Sequence, residues 1–161
     1  MTANEYNQCV DDFADGVYRF ILKNIKDEEN ARDIVQETFA KMWEKAKEIS
    51  YARSKSYLFT AAYHTMIDFI RKNKKIDHVE NFSGREQGHE SGYSDLKEVL
   101  DEAVAQLSEI QRSVLLLRDY EGYSYSEIGE ITGLNEAQVK VYIYRARIFM
   151  KNYLISIDKV I

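Results

Sequence analysis

Leu107–Lys151 reads LSEIQRSVLLLRDYEGYSYSEIGEITGLNEAQVKVYIYRARIFMK, and three helix starts are spelled out within it. Ser108 with Gln111, Ser124 with Glu127 and Asn135 with Gln138 each set a short polar side chain three positions ahead of a Gln or Glu. At that spacing the two residues can cap each other's backbone N–H groups. Gly122 and Gly133 supply the stops, because glycine accepts the left-handed conformation that ends a helix. The pattern predicts a helix through VLLLRDY, a short helix YSEIGEI and a long final helix. Ile128, Ile131, Leu134, Val139 and Ile143 lock the last two together, and two helices joined through a Gly-bearing turn make a helix-turn-helix. The outer face of the final helix presents Gln138, Lys140, Val141, Tyr144, Arg145 and Arg147. A helical hairpin with a solvated basic face shares this pattern. The stretch from Ala137 to Ile157, which holds Lys140, Arg145, Arg147 and Lys151 without one acid, favours nucleic acid.

Upstream, Leu96, Val99, Leu100, Val104 and Leu107 form one more helix, and before it the period vanishes. Ile76 to Ser94, IDHVENFSGREQGHESGYS, is rich in Gly and Ser and reads as a flexible linker. Helical spacing returns on its other side. Val10, Phe13, Val17, Ile21 and Ile25 form a first amphipathic helix, and Asp27 caps a second. The second carries Ala31, Val35, Thr38, Phe39, Met42, Ala46 and Ile49 on one face, with a break expected near Ser50. A third helix starts near Ser54 or Ser56 and runs to about Lys74, with Leu58, Ala62, Met66 and Phe69 inward. The expected fold is therefore all-α, two small helical domains: residues 1–75, a linker 76–94, and a helix-turn-helix domain 95–161.

The chain has 161 residues and a net charge of -5. That average conceals segregation. Lys41 to Lys75 is strongly basic, Met1 to Ala40 and Ile76 to Gln111 are acidic, and the two domains could pack through the opposed basic and acidic blocks. Charge segregated this way can bind DNA locally while limiting contact elsewhere. A single Cys, Cys9, excludes an intrachain disulfide framework. No apolar run approaches a membrane span and the first residues lack the pattern of a secretory signal, so a cytoplasmic protein without membrane insertion is expected.

Three segments in order resemble one family: DIVQETFAKMW (Asp33–Trp43), SYLFTAAYHTMIDFIRK (Ser56–Lys72) and the Leu107–Lys151 stretch. Together they are similar to bacterial RNA polymerase sigma factors, in particular the small two-domain extracytoplasmic-function (ECF) type. The resemblance implies that Asp33, Gln36, Glu37 and Trp43 dock on core RNA polymerase. It implies that the third helix captures the −10 promoter region through Tyr63, His64, Arg71, Lys72, Lys74 and Lys75, with Tyr57 and Phe59 either joining the aromatic set or serving as core residues. Strand capture needs planar side chains for unstacked bases and cations for the backbone. His64 stands where relatives usually carry Asn. The final helix would meet the −35 element through Lys140, Val141, Tyr144 and Arg145, with Arg147 nearer the backbone; Lys140-Val141-Tyr142 stands where relatives often have Lys-Ser-Arg, so Tyr142 replaces a cation. Promoter DNA and an anti-sigma factor are the further partners the resemblance implies.

No catalytic constellation is found, so the protein is expected not to be an enzyme. His64, His78 and His89 are scattered and, with one Cys, make no zinc set, and no phosphate-binding Gly-rich loop is present. No metal or cofactor is expected. A stand-alone helix-turn-helix regulator is the alternative, and Asp33–Trp43 discriminates, since a regulator has no use for a polymerase-docking row. A helical adaptor that binds only proteins is disfavoured by the basic final helix.

Overall fold

Reciprocal capping begins the chain's first helix, α1 (Ala3–Ile25): Glu5 N–H donates to Thr2 Oγ1 at 3.1 Å and Thr2 N–H to Glu5 Oε1 at 2.8 Å. The computed structural model describes residues 1–77 and 95–158. Lys26 closes α1 in the left-handed conformation, and Asp27 caps α2 (Glu28–Glu44). α2 stops at Glu44, short of Ile49, where its apolar spacing ends. Ala46 and Ile49 still reach inward, but from a turn that leads into a 3-10 turn at Tyr51–Arg53. α3 (Ser54–Asp77) then crosses both helices. Its last two residues extend into the expected linker, and the rest of that linker lies outside the described residues. Val17, Phe20, Ile21, Met42, Leu58 and Met66 are the fully buried centre of this group.

The second group comprises α4 (Asp95–Gln106), α5 (Glu109–Leu115), α6 (Tyr125–Thr132) and α7 (Glu136–Asp158). α5 widens into a π-helical turn over Leu116–Tyr120. Four successive apolar residues, Val114 to Leu117, cannot share one face of an α-helix, and here all four are buried because neighbours surround the segment. Ser124 and Glu127 cap α6 reciprocally, which holds the Glu127 carboxyl below its ordinary pKa through its bond from the Ser124 backbone. Among the described residues no strand occurs.

The turn between α6 and α7 depends on two glycines. Gly133 sits at φ 80° as the C-cap of α6. Gly129 lies so close to the turn that a Cβ there would fall 2.8 Å from the Leu134 carbonyl oxygen. Gly129→Ala is therefore expected to destabilise the fold by about 1–3 kcal/mol, since backbone has to move to admit one methyl group. Urea unfolding measures the cost. A variant as stable as the parent would show that the turn relaxes freely.

The two groups touch. α3 packs on α6, and α1 on α4 and α5. The opposed basic and acidic blocks contribute little to this: Lys74 meets Glu109 at 3.9 Å, with the lysine largely exposed. α1, from the acidic N-terminal segment, supplies the close contacts instead. Arg19 grips Glu121 with two bonds of 2.9 and 3.0 Å, Lys23 meets Asp101 at 3.1 Å, and buried Asn24 accepts from Arg112 at 3.0 Å. Tyr123 sets its ring edge against Phe59 of α3 at 5.2 Å.

Candidate polymerase and nucleic-acid interfaces

The 3.6-residue period of α2 turns Ala31, Ile34, Thr38, Phe39 and Met42 inward, which leaves Asp33, Gln36, Glu37, Ala40 and Glu44 on the solvent side. Trp43 lies beside that row, 54% exposed. Its ring is not loose. Tyr6 of α1 meets it edge-on at 4.9 Å, and the Tyr6 hydroxyl donates to the Phe39 carbonyl at 2.9 Å. An exposed indole already held in place loses little entropy on docking. Tyr6 is absent from the sequence reading, although it lies one turn before Val10 on the same stripe. Glu37 carries Lys41 at 3.3 Å, and Lys41 also donates to Thr65 of α3 at 3.3 Å. A polar groove of about 250 Å³ separates α2 from α3, lined by Asp33, Glu37, Asp68 and Lys72 among others.

On α3 the expected base-capturing set divides. His64 is exposed, and so are Arg71, Lys72 and Lys74 near the helix end. Tyr63 is 7% exposed and belongs to the core; burial pushes its phenol pKa up, and its ring meets that of exposed His64 in a T-shaped contact at 5.6 Å. Phe59, buried between Phe20 and Tyr123, is core as well. Tyr57 is half-buried against the core. The side chain of Lys75 lies outside the described residues.

On α7, burial of Val139, Ile143 and Ala146 fixes which side faces out. Gln138, Lys140, Val141, Tyr144, Arg145 and Arg147 are all exposed, as their spacing requires. They are not equally available. The Gln138 carbonyl oxygen accepts from Asn135 N–H at 3.0 Å while Gln138 N–H donates to Asn135 Oδ1 at 2.8 Å, so the side chain is occupied in the cap. Lys140 pairs with Glu136 at 3.9 Å and lies 5.6 Å over the Tyr125 ring. Arg147 makes two bonds to Asp119, at 3.1 and 2.5 Å, which raise its pKa and anchor α7 to the π-helical turn. Tyr142 packs half-buried against the core. These long-range partners, Asp119 and Tyr125, carry no signal in local sequence.

Among the described residues no cluster of His, Cys, Asp and Glu could hold a metal ion, and no helix is long and apolar enough to cross a membrane. Residues 9–76 match the family model for Sigma-70 region 2, and residues 97–150 match that for Sigma-70, region 4. The chain is 33% identical to the RNA polymerase sigma factor SigV of Bacillus subtilis (strain 168), with 93% of this chain and 91% of that protein covered. It is 30% identical to the ECF RNA polymerase sigma factor SigM of the same organism, with 91% of each covered. Its fold is that of the sigma factor RpoE from Bartonella quintana, solved with the anti-sigma factor NepR: TM-score 0.81, 24% identity, 94% of this chain and 98% of that one covered. The chain belongs to the sigma-70 family and is an RNA polymerase sigma factor of the ECF type.

Proposed function

We propose that this sigma factor, which binds core RNA polymerase and directs promoter recognition and transcription initiation, divides that work between its two helical groups. Asp33, Gln36, Glu37 and Trp43 dock on the polymerase. His64, Arg71, Lys72 and Lys74 of α3, with Lys75, hold the −10 region. α7 enters the −35 element. Residues 1–75 and 95–161 are then the two working domains, joined by 76–94. The exposed polar row of α2 ending at a pre-set Trp43 carries the reading, because a stand-alone regulator needs no such row. An anti-sigma factor is part of the proposal, supported by the solved RpoE relative having been captured with one. The cytoplasm, where promoter DNA is transcribed, is the site of action.

The direct test is co-purification of the chain with core polymerase, followed by promoter-specific run-off transcription. Specific DNA binding that needs no polymerase, with no core association, would sink the reading in favour of a regulator. A finer expectation concerns α3. Replacing Arg71, Lys72 and Lys74 together by Gln should flatten the salt dependence of −10 DNA binding, because each lost phosphate contact releases one counterion fewer, a slope change of about 0.7–0.9 per contact. Filter binding by the assembled holoenzyme across a salt series measures it. An unaltered slope would mark this helix end as a solubilising terminus.

A further inference from the structure

α7 is apolar on two opposite sides. One is the buried stripe of Val139, Ile143 and Ala146. The other runs through Ala137, Val141, Tyr144 and Ile148, at spacings of four, three and four residues. At 3.6 residues per turn these four share a strip roughly 60° wide. All are exposed, Tyr144 by 67%, Val141 by 44% and Ile148 by 41%. Core packing does not account for the second stripe. Cations flank it on both sides, Lys140, Arg147 and Lys151 along one edge and Arg145 along the other, and no acid occurs from Ala137 to Ile157. From Ala137 to Ile148 the helix rises about 16 Å, the length of roughly five base pairs.

An apolar ridge between two cationic edges complements a major groove. The groove walls are phosphate, and the apolar groups on its floor are the C5-methyls of thymine. We infer that α7 reads its −35 element chiefly through thymine methyl groups, with Val141 and Tyr144 as the specificity-determining residues and Arg145 and Lys140 gripping opposite walls. The inference rests on the reading of α7 as the −35 helix. Val141 and Tyr144 carry it because the N-terminal turns of a recognition helix go deepest. The polar neighbour that could otherwise read a base edge, Gln138, is already engaged in the cap. A helical protein partner could also cover the stripe, but cations along both edges favour a ligand charged along both walls, which a duplex is.

The test uses holoenzyme assembled from the full chain and core polymerase to select −35 elements from randomised duplexes. Each thymine of the selected element is then replaced singly by deoxyuridine, which removes the methyl group and keeps the base pairing. Binding should fall about fourfold at one or two positions, the share of one buried methyl group. Val141→Ala or Tyr144→Ala should abolish the sensitivity at one of those positions while thermal melting of the free chain is unchanged. Indifference to every deoxyuridine, or a sensitivity that both variants retain, overturns the inference while the promoter reading stands. Failure to select any element overturns the promoter reading itself. Self-association of the chain that is lost in Tyr144→Ala assigns the stripe to a second helix and overturns the methyl reading as well.

Discussion

Trp43→Ala weakens binding to core RNA polymerase by about 2 kcal/mol, close to thirtyfold, if the exposed row of α2 is the docking surface. Trp43 ends that row at 54% exposure, and the edge-on contact with Tyr6 keeps the indole in one orientation before any partner arrives. Interface anchors of this kind, a large rigid aromatic among polar contacts, dominate binding energy. The loss should appear as faster dissociation, because the polar row remains to guide encounter. The chain has one Trp, so 5-fluorotryptophan labelling gives a single fluorine resonance that reports docking directly. Trp43→Phe should recover part of the affinity. Equal affinity for Trp43→Ala and the parent, with melting unchanged, would remove the residue from the interface.

Much of the architecture is legible because its signals are local. The Ser124–Glu127 and Asn135–Gln138 boxes, the Asp27 cap and the Gly133 stop occur where their spacing places them. The solvent row of α2 follows from period alone. What escapes the sequence depends on surfaces brought together from afar. A single packing face on α3 predicts inward Leu58, Ala62 and Met66, and leaves Tyr63 free to meet DNA. α3 is in fact covered from two sides, by α1 and α2 and by Tyr123 of the second helical group, so Phe59, Tyr63 and Ile67 are buried too. Asp119, 28 positions away, holds Arg147 with two bonds, a partner that no local pattern announces. The π-helical turn over Leu116–Tyr120 has no sequence motif, although the buried run Val114–Leu117 leads into it.

The contact between the two helical groups sets the last expectation, because a closed molecule cannot hold both promoter elements. A compact chain of this length has a radius of gyration of about 15 Å, so it is about 40 Å across. Elements named for positions −10 and −35 lie about 25 base pairs apart, about 85 Å at 3.4 Å per pair. The groups therefore have to part when both are engaged, and the interface should be a weak, specific latch. Its buried node is Asn24, 7% exposed, whose carbonyl oxygen accepts from Arg112 Nε at 3.0 Å and from the Ser113 hydroxyl at 3.3 Å, while its amide donates to the Phe20 carbonyl. Burial has already lowered the Arg112 pKa, which marks the guanidinium as poorly hydrated there. Asn24→Ala takes the shared acceptor from Arg112 Nε and from the buried Ser113 hydroxyl, while the guanidinium keeps the Ala105 and Leu107 carbonyls, at about 1–3 kcal/mol for an unsatisfied buried group. Arg19→Glu sets a like charge against Glu121 in place of the ion pair. The double variant is expected to open, with a radius of gyration by small-angle X-ray scattering well above about 15 Å, helix content by circular dichroism unchanged, and faster association with core polymerase. A scattering profile identical to the parent's would show that Asn24 and Arg19 do not govern closure, and a loss of helix content would make Asn24 a support of α1 rather than part of a latch.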